Sequence, residues 1–181
     1  MSKRRDGVRT IQEKNRSPQF TLRDAAGKEH SLAEALRKGP VVAAFFKVSC
    51  PVCQFTFPFL ERLYKLSGDS ASGDSASGKS AATFLAISQD DARDTREFCA
   101  EYGITFPALI DAESYDVSNA YGITNVPSVF LISPDGTVKL TSIGFDKAKL
   151  EAMAAELASG TKRSSAPLFR PGEVVPSFKP G

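Results

Sequence analysis

Apolar and polar positions along this chain follow two periods, and the switches between them mark its elements. Phe20 and Leu22 alternate with polar neighbours, Asp24-Ala25-Ala26-Gly27 supplies turn residues, and Glu29-His30-Ser31 returns. This predicts a β-hairpin over residues 17–31. Ser31 is placed to cap a short helix from Leu32 to Lys38, which Gly39-Pro40 ends. Val41 to Phe46 (VVAAFF) is an unbroken apolar run, the pattern of a strand covered on both faces. From about Pro51 to Leu66 the apolar residues Val52, Phe55, Phe59, Leu63 and Leu66 step by three and four, with Leu60 widening the stripe, as on a helix. Pro51 suits the first helical position, and Pro58, inside the helix, is expected to kink it.

The second half alternates in the same way. Thr83 to Ile87 reads as a buried strand, and a helix from about Asp91 to Tyr102 places Ala92, Thr95, Phe98, Cys99 and Tyr102 on one face. A strand from Phe106 to Ile110 and a short helix from about Ser114 to Tyr121 follow. Ser128 to Ile132 and Thr137 to Ile143 flank Pro134-Asp135-Gly136 as a second hairpin, and Asp146 caps a last helix carrying Leu150, Met153 and Leu157. The order predicts an α/β domain with a mixed central sheet, helices on both faces and an N-terminal β-hairpin extension. Tyr102-Gly103-Ile104-Thr105 and Tyr121-Gly122-Ile123-Thr124 repeat one another, each ending a helix before a Pro and a strand.

The chain of 181 residues fits one domain with short extensions. The organisation expected is a flexible basic arm over 1–16, a domain over 17–160, and an extended Pro-rich tail over 161–181. Residues 67–80 form a low-complexity loop insertion repeating Gly-Asp-Ser-Ala-Ser. A composition of 41% hydrophobic and 24% charged residues excludes whole-chain disorder, collagen and coiled coil. The net charge of +2 is uneven: Lys3, Arg4, Arg5, Arg9, Lys14 and Arg16 face only Asp6 and Glu13 in the first sixteen residues. Such an arm reads as solvated, with no nucleic-acid partner. No apolar run reaches the ~20 residues of a membrane span. Residues 6–20 contain no apolar stretch of signal type, so cytoplasmic residence is expected.

Three cysteines, Cys50, Cys53 and Cys99, are too few for a secreted disulfide scaffold, and two of them form C-x-x-C. Cys50 and Cys53 follow a buried strand and open a helix, whose unpaired N–H groups and dipole favour thiolate at Cys50. Cys53, one turn further in, is within bonding reach and expected to be the more buried. The spacing suits an attacking and a resolving thiol, with no cofactor beyond a Cys50–Cys53 disulfide. Lys47 can add positive charge nearby.

Phe45 to Leu60 (FFKVSCPVCQFTFPFL) resembles the active-site segment of thioredoxin-like proteins, including Pro58 five residues after the second cysteine. Asn125-Val126-Pro127-Ser128, leading into Val129 to Ile132, resembles that family's cis-proline loop and following strand. The preceding hairpin and FLAISQDDARDTREFCAEYGITFPALID look most like the TlpA-like and peroxiredoxin-like (AhpC/TSA) branches. The resemblance, over about residues 17–158, implies a thioredoxin-like fold with Cys50 as nucleophile, Cys53 as resolver and Pro127 as a cis-proline facing them. Val126 would then offer backbone groups to an extended substrate. The implied partners are a protein or small-molecule disulfide and an upstream thiol reductant. Three positions depart from the pattern: Ser49 replaces an aromatic residue, Ala44 a buried Asp, and Thr56 a Glu. The Pro51-Val52 pair between the cysteines supports the site.

Four other readings compete. Peroxide reduction would need P-x-x-x-T-x-x-C, but Ala43 and Lys47 stand at the Pro and Thr positions. Cys50, Cys53, Cys99 and His30 total four zinc-type ligands, without the second short-spaced pair of structural sites. Gly73 to Ser80 matches a phosphate-binding pattern but follows a helix and precedes a strand, the reverse of what that loop requires. A redox-sensing interaction module would exchange once without cycling.

Overall fold

The structure, a computed structural model, describes residues 9–68, 82–159 and 166–181. Its first hairpin pairs β1 (Thr21–Arg23) with β2 (Glu29–Ser31) antiparallel, closed at the turn by the Gly27 N–H donating to Asp24 O at 2.9 Å. Ser31 occupies the N-cap of α1 (Leu32–Lys38), but its side chain makes no capping bond. The Leu32 N–H donates instead to Phe20 O at 3.1 Å, so the hairpin itself caps the helix.

Next come β3 (Val41–Phe46), α2 (Pro51–Ser67), β4 (Thr83–Ser88), α3 (Ala92–Tyr102), β5 (Ala108–Ile110) and α4 (Asp116–Ala120). The chain continues through β6 (Ser128–Ile132), β7 (Val138–Ile143), β8 (Phe145–Asp146), α5 (Lys147–Ser159) and β9 (Phe178–Lys179). The central sheet has the order β5-β4-β3-β6-β7, with β3, β4 and β5 parallel and β6 and β7 antiparallel to their neighbours. The expected mixed sheet is therefore present, with β3 in the middle, where all six residues are buried.

Side chains alternate across a strand, so β3 builds two cores. Val42, Ala44 and Phe46 pack with α2, α3 and α5 through Phe57, Leu60, Phe98, Leu150 and Met153. Val41, Ala43 and Phe45 pack on the other face with α1, α4 and the hairpin through Leu36, Val117, Tyr121 and Phe20. Phe46 lies 4.5 Å from the Phe57 ring and 4.8 Å from Phe98, which fixes the start of α2 against the end of β3. Aromatic pairs of this kind contribute about 0.5–1.5 kcal/mol beyond the area they bury. The helix continues unbroken through Pro58. The paired Tyr-Gly-Ile-Thr segments end α3 and α4 with left-handed glycines, Gly103 at φ 67° and Gly122 at φ 64°.

Both ends of the expected organisation need correction. Residues 9–16, assigned to a flexible arm, are tied to the domain. The Ile11 N–H donates to Tyr121 O, the Lys14 N–H to Val138 O, and the Thr10 hydroxyl to Gly122 O at 2.6 Å. The backbone bonds along the edge of β7 hold this segment whatever its charge. Residues 166–181, assigned to an extended tail, fold back over α2. Leu168 and Phe169 are buried, and β9 pairs antiparallel with β8. Proline-rich composition suppresses regular periodicity but does not prevent two apolar side chains from filling a gap in the core. The loop expected over 67–80 begins after Ser67, the last residue of α2. Most of it, with the phosphate-loop-like stretch 73–80, lies outside the described residues. Among the described residues no helix is long and apolar enough to cross a membrane.

Candidate active site

Cys50 is the N-cap of α2, with extended backbone (φ −82°, ψ 115°), and Pro51 fills the first helical position. Its Sγ accepts the Cys53 N–H at 3.3 Å, so the thiol sulfur does the work of a capping oxygen. The Gln54 N–H donates to Cys50 O at 3.0 Å, and the Gln54 side-chain amide donates to Val48 O at 2.9 Å, closing the turn around the cysteine. Cys50 is half-buried and Cys53 fully buried, and both are free thiols.

Burial is the main cause that pushes the Cys53 thiol well above its ordinary range. The neighbouring Cys50 and the Asp90 charge add to the rise, and the Lys47 backbone partly offsets it. Cys99 is also raised, to about 11, by burial first and the Glu61 charge second. It is half-buried on α3 beside the core cluster rather than part of the C-x-x-C constellation.

The fold brings the second predicted segment to the first. β6 lies beside β3, so the loop before β6 meets the loop after β3. The Val126–Pro127 bond is cis, Pro127 is buried, and the Cys50 thiol donates to Val126 O at 3.4 Å. Pro127 O accepts the Gly144 N–H at 2.8 Å, anchoring the loop to the start of β8.

The supporting residues divide by what they touch. Ser49 and Pro51 are exposed and Val52 half-buried, leaving the mouth of the site without a bulky wall on that side. Lys47 contributes its carbonyl, which accepts the Cys50 N–H at 3.2 Å. Its ammonium makes no ion pair among the described residues. Thr56 is fully buried and donates to Val52 O at 2.6 Å, and Ala44 lies within the sheet core. Neither offers Cys53 a proton acceptor.

Asp90 is a site residue that the sequence reading missed. Its Oδ2 accepts the Val48 N–H at 2.7 Å, joining the loop after β4 to the turn that presents Cys50. It is the one carboxylate among the causes that move Cys53. A usable signal existed: Asp90 follows the carboxyl end of a parallel strand adjacent to β3, where α/β sheets gather their sites. No group of three or more metal-ligating side chains occurs among the described residues. His30 pairs instead with Asp24, Nε2 to Oδ2 at 2.8 Å.

This architecture recurs in solved structures. The thioredoxin domain of a thiol-disulfide oxidoreductase from Bacteroides vulgatus superimposes with a TM-score of 0.67 at 19% identity, covering 81% of this chain and 98% of that one. Peroxidoxin BcpB from Mycobacterium tuberculosis gives 0.67 at 22% identity, with 85% and 99% covered. The fold is thus thioredoxin-like, carrying a dithiol at a helix N-terminus opposite a cis-proline loop. Within that class the chain belongs to the AhpC/TSA family, whose model matches residues 14–141. It is 32% identical over 124 residues to the thiol-disulfide oxidoreductase ResA of Geobacillus thermodenitrificans, across 68% of this chain and 64% of that protein. Identity to ResA of Bacillus subtilis is 28% over 133 residues, across 73% and 68%. The chain thus spans just under two thirds of the length of the Geobacillus relative.

Proposed function

We propose that this chain is a thiol–disulfide oxidoreductase with Cys50 as nucleophile and Cys53 as resolving thiol. The carrying observation is the asymmetry of the pair. Cys50 caps the helix beside the Val126 carbonyl, whereas Cys53 is sealed beneath it with its own ionisation suppressed. Cys50 thiolate attacks a disulfide docked beside Val126 and Pro127, forming a mixed disulfide and releasing one partner thiolate. Cys53 loses its proton and attacks Cys50 sulfur, closing Cys50–Cys53 and releasing the second thiolate. Two electrons pass to the substrate, and an upstream thiol reductant restores the dithiol by the reverse exchange. The ResA relatives, named for thiol–disulfide oxidoreduction, support the same reading.

Peroxide reduction is less well served by this geometry, because Ala43 is buried in the sheet and Lys47 stands where a polarising hydroxyl would be. A non-catalytic redox sensor separates from the enzyme by turnover.

The test is equilibration in graded glutathione or dithiothreitol buffers, with alkylated cysteines counted by mass. A reversible two-thiol transition at Cys50 and Cys53 is expected. Cys50→Ser should abolish exchange, and Cys53→Ser should accumulate mixed disulfides. Wild-type turnover by Cys50→Ser would sink the reading.

A further inference from the structure

Residues 166–181 approach the exchange site in two unequal parts. The first part is built into the body of the protein. Leu168 and Phe169 are buried, with the Phe169 ring 5.1 Å from Phe59 and 6.1 Å from Phe145. Arg62, in the C-terminal half of α2, donates to Leu168 O at 2.8 Å and grips Glu173 through both terminal guanidinium nitrogens at 2.9 and 3.1 Å.

The second part is held lightly and lies at the active site. After the Lys147 N–H donates to Ser177 O at 3.0 Å, Phe178 and Lys179 pair with β8, and the Lys179 ammonium sits 4.8 Å from the Phe55 ring centre. The Asn125 side-chain amide donates to Gly181 O at 3.2 Å. A side chain on Gly181 would come within 2.5 Å of Val126 O, the carbonyl that the Cys50 thiol also touches. Gly144, at φ 71°, leaves room for the Lys179 carbonyl and for Gly181 N, 2.9 Å from where its Cβ would stand. Two glycines thus let this backbone press against the cis-proline loop, while Phe178, Pro180 and Gly181 themselves remain exposed.

We propose that residues 178–181 form a specificity wall that admits small-molecule disulfides to Cys50 and holds back folded protein disulfides. The inference rests on the exchange reading above and names its substrate class. A protein disulfide brings a backbone segment that must lie along Val126 and the adjoining edge, the usual mode of strand addition. Here that edge is paired with β9, and Gly181 lies against Val126. A small disulfide needs only the sulfur of Cys50 and the space over Ser49 and Pro51. The wall is separable from the fold, because removing residues 178–181 takes away no buried side chain and spares the Ser177 and Arg62 anchors.

The test compares wild type, a variant lacking residues 178–181, and Gly181→Val, whose side chain has no room beside the Val126 carbonyl and so pushes the exposed segment away from it. Rates are measured with oxidised glutathione and with a folded protein disulfide such as insulin. Alkylation of Cys50 by iodoacetamide and by a polyethylene-glycol maleimide reads access without requiring turnover. Both variants should speed the protein disulfide and the bulky maleimide by about tenfold, the penalty imposed by a site open in roughly one molecule in ten. Rates with glutathione and iodoacetamide should stay within about twofold. Equal acceleration of small and large reagents would overturn the wall, since it would mean altered Cys50 reactivity. Unchanged protein-disulfide and maleimide rates in both variants would also overturn it. If no disulfide turns over yet the maleimide ratio rises, the wall stands and the exchange reading falls.

Discussion

A thiol buried under a helix N-terminus ionises reluctantly, and the residues around Cys53 determine how reluctantly. Desolvation dominates, and Asp90 adds like-charge opposition while its Oδ2 holds the Val48 N–H. Two roles meet in one carboxylate, and Asp90→Asn separates them: the amide oxygen still accepts the Val48 N–H, but the charge is gone. Cys53 should then form thiolate at lower pH, moving the pH profile of release from a Cys50–glutathione mixed disulfide downward. An unmoved profile would make Asp90 purely a brace for the turn. Glu61 illustrates the opposite use of a buried carboxylate. It accepts the Thr105 N–H at 2.8 Å and the Thr105 hydroxyl at 2.5 Å, fixing the loop ahead of β5 rather than acting on the dithiol.

At the level of elements, α2 carries three connections on one helix. Its first turn presents the cysteines, its core face packs Phe57 and Leu60 on the sheet, and Arg62 holds the returning segment through Glu173. The Arg62 hydrogen bonds, then the Arg170 backbone N–H, hold the Glu173 carboxyl at about 2, against an ordinary 4.5. A folded-state value below the unfolded one stabilises fully above about 4.5, and the contribution is lost as pH falls through about 2. Thermal unfolding followed down this range should show the wild type losing stability that Glu173→Gln has already lost at neutral pH. Parallel acid curves for the two proteins would contradict this. Because Glu173 is partly exposed, salt should weaken the difference.

For the molecule as a whole, the sheet order decides what meets at the site. Placing β6 beside β3 brings Val126 to Cys50, and ending β7 in β8 provides the edge that residues 178–181 cover. Protection should follow this hierarchy. In native-state hydrogen exchange, amides of β3 and β4 should exchange only by global unfolding, those of residues 168–170 more readily, and those of residues 178–181 fastest. Slow exchange of β9 matching the core would show that the edge segment is part of the cooperative unit, against its exposed and sparse bonding.

Much of this was written in local patterns. The six-residue apolar run of β3, the three- and four-residue steps of α2 and the repeated Tyr-Gly-Ile-Thr helix ends each carry their own period or turn chemistry, so their conformation follows from near neighbours in the chain. Cys50 and Cys53 are legible for the same reason, since three residues on a helix start fix their proximity. Val126 and Pro127 were recognisable only by resemblance, because nothing local says that residues 76 positions apart will touch. Leu168, Phe169 and Gly181 gave no signal. Two apolar residues and a glycine in a proline-rich stretch have no periodicity. Their positions depend on a gap between α2 and β8 and on a carbonyl at Val126 that exist only once the sheet has formed. The sequence by itself determined the elements and the dithiol; the tertiary structure decided which distant backbone faces that dithiol and which segment stands beside it.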